Sequence, residues 1–327
     1  MNPESTAMVL QTLALPDEDL FALDSTATAA LQARLALQLQ PRSFTAPPGA
    51  ARAAMPELRA IAAPARVDWT RHSRFPVLLA EVRSNLREWA VHAAQNRVLV
   101  LSNLDTGEVG VRAPIEQPRR VTAQPPSRGG QPPDAFNAAL SSIVVMNYDL
   151  LRWFERDHLE GRFALTALEY DLVSNTASVN AVGAVGTTPA TLPARLRVRP
   201  GAVAAVDPPA AGVVMAVPER VASSSAAPIR VAVSLPRARV ALIGAGDGSR
   251  DSAVLAATLM LVHLDRNEPA QLQLAVPATV VNGGVVASFE LDLRHALTAG
   301  ATPGDWLAYL VIGDTVTGPR PLRIENR

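Results

Sequence analysis

One β-rich pattern occurs twice in residues 67–327, and this constrains the fold more than any other property of the chain. The segment IVVMNYDLLRWFERDHLEGRFALTALEYDLVSNTASVNAV, from Ile143, lies without a gap on VASFELDLRHALTAGATPGDWLAYLVIGDTVTGPRPLRIE, from Val286, an offset of 143. Few residues are identical; what the copies share is the placement of apolar, turn and glycine positions. Met146, Tyr148 and Leu150 alternate as Phe289, Leu291 and Leu293 do, the period of a strand with one buried face, so Asp149 and Asp292 fall on the other face. Gly161 matches Gly304 where each chain must turn a corner, and Phe163 and Trp306 open the next strand. These strands end in polar turns, at Ser174-Asn175 and at Thr317-Gly318.

Upstream, VLVLSNLDTGE (98–108) matches TLMLVHLDRNE (258–268) at an offset of 160, with Leu104-Asp105 and Leu264-Asp265 each expected to end a strand at a turn. The change of offset marks an insertion at 115–140, rich in Pro, Gly and Arg, which is expected to be an unstructured loop or a binding loop. Residues 1–66 have a different texture. Asp24-Ser25 caps a predicted helix through TATAALQARLALQLQ, with Leu31, Leu35 and Leu39 on one face and Pro41 stopping it. A second short helical stretch is predicted for ARAAMPELRAIAA, between Pro47-Pro48 and Pro64. A single apolar stripe needs something to lie against, so the arm is expected to meet a protein partner or a second copy of the chain.

The order of strands, a glycine corner with an aromatic, a long strand and a final edge strand resembles the immunoglobulin-like sandwich class, without the Cys, Trp and Cys spacing of antibody domains. The resemblance implies a fold and carries over no residues. The expected architecture is mainly β: two tandem immunoglobulin-like β-sandwich domains, 67–186 and 229–327, after a partly helical, proline-rich N-terminal arm, 1–66. Residues 187–228 are expected to supply a linker and the first strand or strands of the second domain.

Composition narrows the chemistry. The chain has no cysteine, which removes disulfides, thiolate nucleophiles and zinc-finger sites, and all 30 basic residues are arginine, which removes Schiff-base and phosphate-loop lysines. Thirty acidic residues balance them, so no net field recruits nucleic acid. No apolar run is long enough for a transmembrane helix, and Pro16 to Asp19 interrupt the N-terminal stretch that a signal peptide would need. The expectation is a cytoplasmic chain, or one exported by a non-classical route.

The candidate chemistry is sparse. RVALIGAGDGSRDSAVLAATLMLVHLD (239–265) runs from an apolar strand into Gly244-x-Gly246, with Asp265 about 20 residues on, as in a dinucleotide fingerprint, though Ser249 holds the third glycine position. A hairpin explains the same glycines. Asp247, Ser249 and Asp251 have the alternating oxygen spacing of a calcium loop, but Thr258 stands where an EF-hand needs glutamate. His72, His92, His158, His263 and His295 show no metal-pair spacing. Glu155, Arg156, Asp157, His158 and Glu160 form the densest titratable cluster, and Glu169 and Asp171 share a strand face. Binding candidates are Arg119, Arg120 and Arg128 of the insertion, and Trp153, whose repeat partner is Ala296. The function expected is that of a non-enzymatic structural or binding protein, in a homo-oligomer or with a protein partner and without a cofactor. The alternatives are an enzyme or nucleotide-binding protein using the turn at 244–248, and a calcium- or carbohydrate-binding adhesive module.

Overall fold

Alternation decides the strands. In GVVASFELD (284–292), Val285, Ala287, Phe289 and Leu291 are buried while the residues between them are half-buried or exposed, the signature of a strand with one face on a core. The computed structural model describes residues 16–22, 58–83, 97–112, 121–123, 142–150, 159–169, 172–183, 194–200, 211–222, 228–245, 252–263, 269–295 and 301–325. The first half contributes a short helix, α1 (Asp17–Phe21), and strands β1 (Leu58–Ala62), β2 (Arg66–Asp68), β3 (Pro76–Arg83), β4 (Arg97–Asn103), β5 (Val109–Arg112), β6 (Val121–Ala123), β7 (Ser142–Asp149), β8 (Gly161–Glu169), β9 (Leu172–Val173) and β10 (Ala177–Val182). The second half contributes β11 (Leu196–Arg197), β12 (Arg199–Pro200), β13 (Gly212–Ala216), β14 (Arg220–Ala222), β15 (Pro228–Pro236), β16 (Leu242–Ala245), β17 (Ser252–His263), β18 (Pro269–Val281), β19 (Gly284–Asp292), β20 (Gly304–Ile312) and β21 (Thr315–Glu325).

Two sheets, β1-β3-β7-β6 and β2-β10-β8-β4-β5, form a β-sandwich in the first half. Ile61, Val67, Trp69, Phe75, Val77, Leu99, Phe163 and Leu165 belong to its core. The second half is one continuous path, β13-β15-β19-β18-β17-β20-β21-β14. There β18 pairs with β17 along most of its length and then turns through Asn282-Gly283, both at positive φ, into β19. That two-residue turn is the kind whose twist matches a hairpin. Its core gathers Val231, Leu255, Leu259, Leu274, Phe289, Trp306 and Leu310.

The pairings of the two halves correspond residue by residue. Asn103 faces Phe163 across β4 and β8, and His263 faces Trp306 across β17 and β20. Gly161 faces Ala181, and Gly304 faces Ile324. Val67 pairs in parallel with Ala181, and Val221 with Ile324. Val77 faces Tyr148, and Ile229 faces Leu291. Both sequence offsets, 143 and 160, are therefore pairing registers as well.

Two expectations are corrected. Residues 58–62, expected in a helix, form β1, because the Asn175 side chain accepts from Ile61 N at 2.8 Å and donates to Ile61 O at 3.0 Å, and Ile61 enters the core at 1% exposure. Tertiary pairing here overrides the helix propensity of an Ala- and Leu-rich stretch. Within the insertion, Val121–Ala123 form β6 on β7, so this part of 115–140 belongs to a sheet. In the stretch 187–228, expected to hold a linker and the first strand or strands of the second domain, residues 196–222 supply four strands, β11 to β14. The expected helix at 24–40 lies outside the described residues.

A third apolar layer lies between the halves. Val98 and Val100 on β4, Val109 and Val111 on β5 and Leu168 on β8 pack with Met260 and Val262 on β17 and Tyr309 and Val311 on β20. These are the faces of the strands turned away from each half's own core, and Val100 and Met260, or Leu168 and Val311, are equivalent positions in the repeat. Burying a large aliphatic or aromatic side chain contributes about 1.5–3 kcal/mol, so the layer holds the halves against free hinge motion. Its rim is fixed by polar bonds: Thr258 Oγ1 donates to Gln273 Oε1, whose amide reaches Val109 O at 3.5 Å, and Thr176 Oγ1 donates to Asp314 O. At Gly107 the two halves approach closely, for a Cβ there would stand 2.2 Å from Ala256 Cβ.

Gly107→Ala should therefore cost more stability than Gly283→Ala. Both glycines have φ near the left-handed region, +70° and +78°, but no atom lies within 4 Å of a Cβ at Gly283. Positive-φ strain alone is worth roughly 1–2 kcal/mol, and overpacking adds about 1–3 kcal/mol at Gly107 only. Denaturant unfolding of the two variants checks the difference.

Candidate functional site

The best-organised polar cluster is the turn SNLDTGE between β4 and β5. Asn103, 6% exposed, closes it: its Oδ1 accepts from Asp105 N at 2.9 Å and Thr106 N at 3.1 Å, and its Nδ2 donates to Glu160 O at 3.3 Å. Asparagine at such a place satisfies turn amides that no strand can pair. Asp105 reaches across to the start of β8, accepting from Arg162 N at 2.9 Å and from Arg162 Nε at 2.8 Å. Partial burial pushes the Asp105 carboxyl up, but the bonds from the Arg162 backbone and side chain together outweigh it and hold the group below the usual carboxylate range. Arg195 completes the cluster from the other half, donating to Thr106 O at 3.0 Å; burial lowers its guanidinium, opposed by the charge of Glu108.

The corresponding corner of the second half is built differently. His263 replaces Asn103, is 5% exposed, and meets Trp306 edge-on with ring centroids 4.7 Å apart. Trp306 Nε1 donates to Thr302 O at 2.8 Å. Gly304, at φ +149°, leaves room for the imidazole, since a Cβ there would lie 2.5 Å from His263 Nε2. Arg239 Nε donates to both carboxylate oxygens of Asp314 at 2.9 Å, which raises the Arg239 guanidinium. Each of these groups is spent on a turn, a strand end or the contact between halves. None faces another as nucleophile to base.

One expected site is not formed, and most of the others fall outside the described residues. Residues 239–263 form β16, a connection and β17, and β16 pairs antiparallel with β17. A dinucleotide fingerprint needs a strand running into a helix, so the alternative built on Gly244 to Gly248 is withdrawn. Asp247, Ser249 and Asp251 lie outside the described residues, as do Arg119, Arg120, Arg128 and Trp153. So do Glu155, Arg156, Asp157, His158 and Asp171. Glu160 is exposed and enters the turn cluster through its carbonyl; Glu169 ends β8 opposite Arg97 and Leu172. His72 stacks on Phe21 at 3.8 Å, away from His263. Among the described residues no group of three or more His, Asp or Glu is placed to hold a metal ion, and no helix is long and apolar enough to cross a membrane. Trp69 and Trp306 are buried, Trp69 donating to Leu159 O at 3.0 Å, so neither offers a face for sugar stacking.

The reading of the sequence missed the layer between the halves. The signal was present: VLVL at 98–101 and LMLV at 259–262 are continuous apolar runs, the mark of strands buried on both faces.

No family model matches the chain, and no curated protein matches it. Among solved structures, an ICAM-5 ectodomain fragment aligns over 81% of this chain and 53% of its own length, about half, at 11% identity and a TM-score of 0.18. The N-terminal Ig1-2 module of the Drosophila receptor protein tyrosine phosphatase DLAR aligns over 82% of this chain and 98% of its own, at 8% identity and a TM-score of 0.16. The chain's own strand pairing, and not likenesses this loose, carries the statements about fold.

The turn cluster makes a pH prediction. Because Asp105 titrates below its unfolded value, its contribution to stability is complete above about pH 4, the unfolded carboxylate value, and is lost as pH falls through the folded value. Asp105→Asn should thus be less stable than the parent near neutral pH, and the gap should close on acidification. Urea midpoints at the two pH values measure it.

Proposed function

We propose that the chain is a non-enzymatic structural or binding protein built of two tandem immunoglobulin-like sandwiches, acting as a subunit of a larger protein assembly. The observation that carries this reading is the pairing scheme. The order β1-β3-β7-β6 follows the A-B-E-D sheet of that class, and β10-β8-β4 follows G-F-C. The second half repeats the same pairs, with β18 leaving the C strand equivalent to join the E strand equivalent. The parallel pairings of β2 with β10 and β14 with β21 recur at equivalent residues, which a chance mixture of hairpins would not produce.

Two features favour a scaffold over a catalyst. The polar groups of the best-organised cluster are engaged in locking a turn and the contact between halves, and the only large hydrophobics exposed among the described residues are Val214 and Val281. One pair of apolar sheet faces is already packed together inside the chain, which leaves sheet edges and the remaining faces for partners or for a second copy. Such a tandem behaves as a covalent dimer with a fixed internal angle, presenting loops at its ends and the edges of its sheets to partners.

Sedimentation of the intact chain over a range of concentrations, with quantitative affinity isolation from its native source, tests the reading. Self-association or a stoichiometric protein partner is expected. A chain that stays monomeric and copurifies with a nucleotide would overturn it.

A further inference from the structure

Strands β1 and β13 each end a sheet path, and they occupy equivalent places in the two halves: Ile61 faces Leu79 and Met215 faces Val231, just beyond the matched residues Val77 and Ile229. At Ile61 the edge is closed. The Asn175 side chain takes both outward backbone groups, accepting from Ile61 N at 2.8 Å and donating to Ile61 O at 3.0 Å, as a neighbouring strand would. At Met215 only the carbonyl is taken, by Arg320 Nε at 3.2 Å. An open edge is a template for a further strand, and chains blunt such edges with charges, proline or bulges. GVVMA of β13 carries no charge and no proline, and its pairing with β15 runs without a bulge.

Register fixes which groups of β13 point outward. The two-residue turn after Val281 commits Gly284 to β18, and because successive residues of a strand bond to opposite sides, Val285, Ala287 and Phe289 bond to β15. Phe289 faces Val231, so Val231 is spent on β19, and its other neighbour, Met215, turns its N–H and C=O to the open side. Val213, opposite Val233, does the same. Val214 between them bonds to β15 and holds its side chain on the face away from the core at 38% exposure, one of two large hydrophobics so exposed among the described residues. This edge is self-complementary. About a two-fold axis at Val214 a second β13 runs antiparallel, Val213 of each copy exchanges N–H···O bonds with Met215 of the other, and the two Val214 side chains meet as a non-hydrogen-bonded pair, the closer of the two pair types.

We infer that β13 is a self-association surface at which two copies of the chain join sheets edge to edge, antiparallel about Val214, with Arg320 as the plug that must leave Met215 O. The inference rests on the reading of the chain as a subunit of an assembly and names the surface that the assembly uses. The strand is short and the contact correspondingly weak, so Arg320 sets its strength: its guanidinium competes for a carbonyl that the second copy needs. The equivalent edge at β1 is excluded from this role by Asn175, which leaves neither backbone group of Ile61 to a new strand.

Sedimentation velocity of full-length chains over a range of concentrations tests this. The parent is expected to dimerise. Val214→Lys and Val214→Glu, each setting like charges opposite one another, should weaken the dimer roughly tenfold, and an equimolar mixture of the two should recover it. Arg320→Ala should tighten it several-fold. Because the chain has no cysteine, Val214→Cys should also oxidise to a disulfide-linked dimer many times faster than Val281→Cys, whose side chain is 49% exposed beside the hairpin turn. A parent that stays monomeric, charge variants that keep the parent's circular dichroism and associate as it does, or a mixture that fails to recover the dimer overturns the inference. A different protein held by the monomeric parent and lost from Val214→Lys would give the edge to that partner and overturn it as well. In each of these cases a stoichiometric protein partner in the affinity isolation would leave the reading as an assembly subunit standing.

Discussion

Everything distant in this molecule is tied together by the apolar layer between two equivalent sheet faces. Without it, β4 and β17 would each expose a continuous aliphatic strand face, Val98 and Val100 on one side and Met260 and Val262 on the other. With it, three apolar layers alternate with four layers of strands, and the turn at Asn103 is gripped from both halves. The hydrophobic effect that builds the core of each half thus also fixes one against the other. Gly107, pressed on Ala256, and Arg195, bonded to Thr106 O, register how close that approach is.

The same economy explains where polarity appears. Buried side chains such as Asn103, Thr166 and Thr258 are bonded to turn amides, to another hydroxyl or to an amide oxygen, as burial requires. Ion pairs such as Arg162–Asp105 and Arg239–Asp314 sit at strand ends, where they are half open to solvent and secure turns more than they add net stability.

The fold was legible where alternation and glycine corners survive in sequence. Gly161 and Gly304, Phe163 and Trp306, and the turn after Asn103 stand where the matched pattern put them, down to the pairing register. It was illegible where tertiary contacts decide. LRAIA at 58–62 carries helix propensity and becomes an edge strand only because Asn175 and the core claim it. Val121–Ala123 hides among prolines. The contact between halves was written in runs without alternation, which a single-strand reading treats as core. The candidate site was less legible still: paired charges at 105 and 162 are 57 positions apart, and no local spacing announces them.

Native-state hydrogen exchange measured against denaturant tests the central claim most directly. If the layer welds the halves, the slowest amides of β4 and β8 and those of β17 and β20 should merge into one unfolding isotherm, with the same free energy and the same denaturant slope. Two separate isotherms, one for each half, would show that the halves unfold independently and would contradict the account.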